Sequence, residues 1–576
     1  MGVDIFFVIS GFLISKIIHS KIQKNTFSLL GFYIDRIKRI VPAYYCMLII
    51  CWLLFLFVFV PSDLGKYKLG YFWTFLFNSN HHFANVDDYF GALSNENPLL
   101  HTWTLAVEMQ FYLFLPLILL VIRNLRTLLI TLYITSIIII GWSTMEIYNA
   151  NKASMYFSLV SRSSEFFIGV IAAFSKIENK SWVKNHSNYL SGFGLLILIV
   201  SAIVFNEASP FPGILALVVC IGAVLILISQ DSKINHYISN KYLSYLGEIS
   251  YSVYLWHWPI MAFYRYYTQS YEFSFIEIVS ILLATMIASL LSYYLIERPL
   301  RSKERLRFYL PFSFMIVLNV LMVFFTSQVK LRVSNIPSIY IFPSFGLNSH
   351  AGGFKEVEVY GGKNEIGKRI LFVGDSHALT LKPFVDTIGK KNGFSFRTLT
   401  NNVYPTIPFI DPSSIEDKGR RKIQEKLNPI ISREFKMADI IIISFYSKEA
   451  DRWAVAVNKM INNLKPNQRV LLLSDYPTLD KNPVRSNKDF IKDQSRNIKY
   501  TIQFNQMPPS ILNNFSAREN VKFVDFSKNK SFFNDAPFHN DTLMYYDNAH
   551  LNVFGSLKYA EKNELKFMEG LNWAIK

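Results

Sequence analysis

Ten apolar runs lie between residues 3 and 328, at roughly 3–18, 43–60, 105–122, 127–147, 157–175, 190–205, 212–229, 249–267, 275–296 and 308–328. Most approach the roughly 20 residues that cross about 30 Å of hydrocarbon at 1.5 Å per residue. In lipid each backbone N–H and C=O must be satisfied within its own segment, so such runs fold as helices. Charged residues make up 18 % of the chain, against about 25 % in soluble proteins. A multi-pass α-helical membrane domain is therefore expected. The cysteines, Cys46, Cys51 and Cys220, all fall in apolar runs. They show no metal-ligand spacing, and a disulfide framework is not expected.

The net charge of +17 would suit a nucleic-acid partner, but its distribution argues otherwise. One set of alternate loops holds 17 basic residues: Lys21 to Arg39, Arg123 and Arg126, Lys176 to Lys184, Lys233 and Lys241, and Arg298 to Arg307. The other holds Lys66, Lys68 and Lys152. Basic loops mark the cytoplasmic side, which places the tail after residue 328 outside the cytoplasm. No nucleic-acid partner is expected; lipid is. The short run at 69–77 is read as interfacial or re-entrant. Met1 would also lie outside. The run VDIFFVISGFLISKII lacks the basic n-region and the cleavage site of a signal peptide. A helix upstream of Met1 is therefore expected.

Residues 329–367 read as a polar linker, with an extra transmembrane helix over 301–328 before it. From 368 to 576 short β-branched runs (KRILFVGDSHA, ADIIIISFYS, QRVLLLSDYP, VKFVDFS) alternate with helix-compatible stretches. This pattern indicates an α/β domain with a parallel sheet. Gly374-Asp375-Ser376-His377 follows the strand ILFV. A serine there has its hydroxyl at the carboxyl end of a strand, where ligands bind, and its N–H at a helix N-terminus. That suits attack on an acyl carbon and stabilisation of the oxyanion by the Ser376 backbone. Asp547-Asn548-Ala549-His550 supplies a base, His550, and a carboxylate, Asp547, to orient it. His377 and His539 are expected to be loop bystanders, and Asp535 and Asp541 solvated turn residues.

GDSH near the start and DxxH near the end of this domain resemble the SGNH (GDSL-like) hydrolases, which cleave or transfer small acyl groups on sugars. The resemblance implies Ser376 as nucleophile, His550 as base and Asp547 as its orienter. The family's glycine and asparagine donors are not evident; Ser444-Phe445-Tyr446 and Ser474-Asp475 stand where they would be sought.

Ionisable residues within spans are costly unless paired or facing a cavity. Glu108 lies in an apolar helix with Tyr112 one turn along the same face. Arg162 and Glu165 are spaced i, i+3, able to pair or to line a polar cavity. Arg36 and Arg39 share a face at the cytoplasmic boundary, suited to phosphates. His257 lies between Trp256 and Trp258.

The series FFVISGFL, RIKRIVP, WTLAVEMQFYL, RSSEFFIG, LGEISYSVYLWHWPI and YLIERPLR resembles the acyltransferase-3 membrane family over residues 1–300, about nine spans. Joined to an external SGNH domain, it resembles bacterial O-acetyltransferases of surface polysaccharides. The resemblance implies cytoplasmic acetyl-CoA as donor substrate, no permanently bound cofactor or metal, and a surface glycan (lipopolysaccharide O-antigen or peptidoglycan) as acceptor. It also implies donor binding at Arg36 and Arg39, and functional roles in the membrane core for Glu108, Arg162 and Glu165. Met109 replaces the second of the family's paired acids. The family's first helix, with a basic residue, ten residues and then a histidine, has no counterpart here. His101 and His257 are not expected to substitute. The alternatives are a membrane-anchored external carbohydrate esterase, or an inactive or glycan-binding form. A transporter would leave the triad unexplained.

Overall fold

Helices follow one another from Gly2 to Val333, as the series of apolar runs requires, and several of them start at a side-chain cap. The computed structural model describes residues 1–84, 94–149, 152–206, 209–302, 305–334, 336, 345–347, 357–401, 404–415, 418–486, 498–516 and 518–576. They form two compact units, Met1–Phe59 with Asp63–Val333, and Val60–Ser62 with Ser334–Lys576.

In the first unit the main helices are α1 (Gly2–Gln23), α2 (Leu29–Val58), α3 (Leu64–Phe75), α4 (Trp103–Val121), α5 (Leu125–Tyr148), α6 (Leu159–Ser175), α7 (Ser187–Val204), α8 (Gly213–Ile228), α9 (Lys241–Thr268), α10 (Phe275–Ser292) and α11 (Arg305–Val333). Every expected run falls mainly within one of them. Among the described residues seven helices are long and apolar enough to cross a membrane. Side-chain oxygens of Ser28, Asn124, Ser158 and Asn240 cap α2, α5, α6 and α9, each accepting from an N–H that the first turn leaves over. The cap at Ser28 starts α2 well before its apolar run, so Arg36 and Arg39 are helical. Residues 69–75 belong to α3, whose 12 residues span only about 18 Å.

Two glycines set the closest helix pair. A Cβ on Gly11 of α1 would meet the Phe166 carbonyl oxygen at 2.2 Å, and one on Gly169 of α6 the Val8 oxygen at 2.1 Å. Small residues at such a contact let two backbones approach and gain dispersion where lipid supplies no hydrophobic drive. Phe166 then stacks between Phe7 and Phe111, at centroid distances of 4.4 and 4.0 Å.

The second unit is built on a six-stranded sheet. In chain order its elements are β1 (Glu358–Gly361), β2 (Ile370–Gly374), α12 (Ser376–Asn392), β3 (Ser395–Thr400), α13 (Lys418–Met437), β4 (Ile440–Ser444), α14 (Ala454–Asn462), β5 (Arg469–Leu473), α15 (Pro509–Ser516), β6 (Val521–Val524) and α16 (Val553–Ile575). The strand order is β1-β3-β2-β4-β5-β6, antiparallel only between β1 and β3. β1 lies within the stretch expected to be linker. Strands β2 and β4 are buried along their whole length, as expected of parallel strands covered on both faces. One apolar core joins the sheet to α12 and α16, the other to α13 and α14. The register pairs Gly374 with Thr400 and with Ser444, so three strands end side by side.

Candidate active site

Gly374 ends β2 with φ +152°, in the region that favours glycine. A Cβ there would lie 2.0 Å from the Ser444 carbonyl oxygen and 2.6 Å from Ala378 Cβ. The chain turns at once into α12. Asp375 caps that helix, its Oδ1 accepting from the His377 N–H at 2.9 Å and its Oδ2 from the Tyr446 N–H at 2.9 Å. Ser376 is the first residue of α12, in the turn where backbone dipoles favour negative charge.

The closing loop brings the other two residues. Asp547 Oδ1 accepts from the N–H groups of Ala549 and His550, both at 2.8 Å. The three-residue spacing folds the loop back on itself, and the Leu479 N–H holds it through the Asn548 carbonyl at 2.7 Å. His550 Nδ1 lies 2.9 Å from Asp547 Oδ2, and His550 Nε2 lies 2.9 Å from Ser376 Oγ. A carboxylate only accepts, so Nδ1 carries the proton and Nε2 is left to receive one from the serine. Burial alone would disfavour the Asp547 carboxylate. The His550 ring and the two N–H bonds outweigh it and hold its pKa below the usual range. Ser376, Asp547 and His550, drawn from the two ends of the domain, therefore form one hydrogen-bonded chain suited to nucleophilic acyl chemistry.

His377 is not a loop bystander. It lies in the first turn of α12, fully buried, with Nδ1 2.6 Å from Asp475 Oδ1. Its ring stacks between Tyr446 and Tyr476, 4.6 Å from each. Asp475 also accepts from the N–H groups of Ser447 and Tyr476, each at 2.9 Å. The sequence places Ser444-Phe445-Tyr446 and Ser474-Asp475 at the right strand ends. Their carboxylate and N–H groups, however, serve Asp375 and His377 instead of presenting oxyanion donors. His539 lies in a two-residue strand, its ring stacked on Phe532 at 5.3 Å.

In the first unit Arg36, Arg39, Glu108, Arg162 and Glu165 fall into two clusters. Glu108 accepts from Tyr112 on its own helix and from Ser10 of α1 at 3.1 Å. Arg36 and Arg39 are its electrostatic neighbours. Arg39 also neighbours Glu297, which accepts from Ser252 at 2.9 Å. The second cluster joins Arg162 to Glu165 at 2.7 Å and to Asp4 at 2.8 Å, with the guanidinium 4.6 Å from the Tyr156 ring. Asp4 and Glu297 belong to motifs visible in the sequence, but their partners lie 158 and 45 residues away. His101 and His257 face each other with ring centroids 5.8 Å apart, in neither cluster.

The family model described as an acyltransferase domain matches residues 1–295, and the one described as an SGNH domain fused to such domains matches residues 345–562. O-acetyltransferase OatA of Staphylococcus aureus (strain NCTC 8325 / PS 47) is 31 % identical over 321 residues, 53 % of each chain. Peptidoglycan O-acetyltransferase OatA of Listeria monocytogenes is 29 % identical over 333 residues, 54 % of this chain and 53 % of its own. A Haemophilus influenzae protein of unassigned role is 35 % identical over 235 residues, 39 % of this chain and 96 % of its own. The chain thus matches about half the length of either O-acetyltransferase. No solved structure matches.

Proposed function

The chain belongs to the acyltransferase-3 family and carries an SGNH domain of the kind fused to it, and we propose that it is an O-acetyltransferase of a bacterial cell-surface glycan. Acetyl would pass from cytoplasmic acetyl-CoA through the membrane unit to an extracytoplasmic SGNH unit, and from there to a sugar hydroxyl. The observation that carries this reading is the Asp547–His550–Ser376 chain, in a domain that follows an acyltransferase domain in the sequence. The names of the two O-acetyltransferase relatives support the reaction class, and the Listeria name favours peptidoglycan over O-antigen as acceptor.

In this mechanism Ser376 Oγ attacks the acetyl carbonyl while His550 Nε2 takes its proton. Asp547 stabilises the imidazolium, and the Ser376 N–H stabilises the oxyanion. His550 returns the proton to the leaving group, and acetyl-serine remains. A sugar hydroxyl then gives its proton to His550 and attacks the ester; collapse releases the O-acetyl sugar and restores Ser376 Oγ–H. On the donor side Arg36 and Arg39 would hold the phosphates of acetyl-CoA. Glu108, Arg162 and Glu165 would shape the polar interior along the route.

The test uses membrane vesicles bearing the full chain, labelled acetyl-CoA and glycan acceptors. Labelled glycan is expected, and Ser376→Ala should reduce it by at least about 10³-fold. Undiminished labelling by the alanine variant removes Ser376 from the reaction. Hydrolysis of an aryl acetate with no glycan labelling at all would support the esterase reading instead.

A further inference from the structure

Three carboxylates crowd the serine: Asp375 precedes it, Asp547 holds His550, and Asp475 holds His377. Attack on an acyl group adds a fourth negative charge there. The N–H groups of Tyr446 and Ser447, at the end of β4, are committed to Asp375 and Asp475. We propose that His377, paired with Asp475 beside the nucleophile, is a positioning residue for Ser376, its ring offsetting the charge of the oxyanion where the N–H groups of Tyr446 and Ser447 are already engaged. This rests on Ser376 being the nucleophile.

Four observations carry it. His377 is the residue after Ser376, and its ring lies 5.2 Å from that of His550. The 2.6 Å contact to a carboxylate that is itself fully buried is a charge-assisted geometry. The faces of Tyr446 and Tyr476 on either side favour a cation. Finally, His377 Nε2 is buried with no hydrogen-bond partner among the described residues, so no second acceptor on that side offsets the charge of the ring.

The groups facing the ring are Asp375 on its own turn, Tyr446 after β4, Asp475 and Tyr476 after β5, and Asp547 and His550 on the closing loop. Burial opposes the charged ring, but Asp475, followed by Asp375 and Asp547, outweighs it and raises the pKa above that of an ordinary histidine.

The experiment measures aryl-acetate hydrolysis by the full-length protein in detergent, with active serines counted by fluorophosphonate labelling run to completion. His377→Gln and Asp475→Asn should each lower the rate per labelled serine about 10- to 100-fold at pH 7.5, short of the 10²–10³ lost with a contacting donor. In Asp475→Asn the ring is neutral at that pH and recharges on acidification. Its deficit against wild type should therefore shrink at least about threefold by pH 5.5, while that of His377→Gln should not. Rates within twofold of wild type at every pH overturn the inference. If neither variant yields labelled serine, wild type decides. Its rate, corrected for background with Ser376→Ala, should fall as pH rises through the raised His377 value, and a flat profile to pH 10.5 overturns the inference. Hydrolysis retained by Ser376→Ala defeats the nucleophile assignment itself, whereas hydrolysis lost in that variant but unchanged in the other two defeats this inference alone.

Discussion

At Gly374 a single hydrogen in place of a side chain lets β2 turn into α12 against the Ser444 carbonyl, 2.0 Å from where a Cβ would stand. Gly374→Ala should destabilise by about 3 kcal/mol or more, the upper end of single substitutions, seen as a lowered melting temperature. Asp547→Asn keeps the shape of the side chain but removes the charge that fixes the His550 tautomer. A loss of about 10⁴ in turnover is expected in aryl-acetate kinetics, with serine labelling retained. The pH dependence at this scale has two signs. Asp547 is held below its ordinary value of about 3.9, so its stabilisation is present above that pH and is lost as pH falls through the folded value. His377 is raised above its ordinary value of about 6.5. Its stabilisation is complete below that pH and is lost as pH rises through the raised value. The melting-temperature advantage of wild type over His377→Gln should therefore shrink as pH rises from 6.5 to 9.5.

The helix pair α1 and α6 combines a backbone contact with a buried charge cluster. Arg162 is 1 % exposed and pairs with both Asp4 and Glu165. Removing a partner from a buried ion pair costs about 3–5 kcal/mol, because the remaining charges keep their desolvation penalty without compensation. Arg162→Ala should therefore fail to run as a monodisperse peak in detergent gel filtration. Asp4→Asn with Glu165→Gln in the same background should recover part of that peak, since the stranded charges are gone. Gly169→Val should fail for a different reason, steric exclusion at the Val8 carbonyl, and no charge change should rescue it. In the second unit α12 does two tasks at once. Its first turn presents Ser376 and His377, while Phe384 and neighbouring residues bury its length against α16, with Phe384 and Phe567 at 5.5 Å.

For the whole molecule, the excess of basic residues on one set of loops leads to a prediction about sidedness. Acetyl-CoA added outside should label glycan in inside-out vesicles and not in sealed right-side-out ones. Helical membrane and parallel-sheet architectures were both legible in the chain, because apolar length and β-branched alternation are local signals. The hydrogen-bonded grouping of Ser376, Asp547 and His550 was legible too, since each half of it is a short motif at a strand or helix end. His377 was misread as a loop residue because its partner Asp475 is 98 residues away, and no local pattern announces a ring stacked between two tyrosines. Asp4 and Glu297 were hidden in the same way: an acid in a membrane motif shows its cost locally and its partner only in space. Residue order alone thus determined which segments enter lipid, which form the sheet, and which turn carries a serine, because backbone satisfaction, helix caps and strand ends act over a few residues. Tertiary structure alone decided which charges neutralise one another and which N–H groups remain for the reaction, because desolvation and Coulomb attraction depend on distance through space and not along the chain.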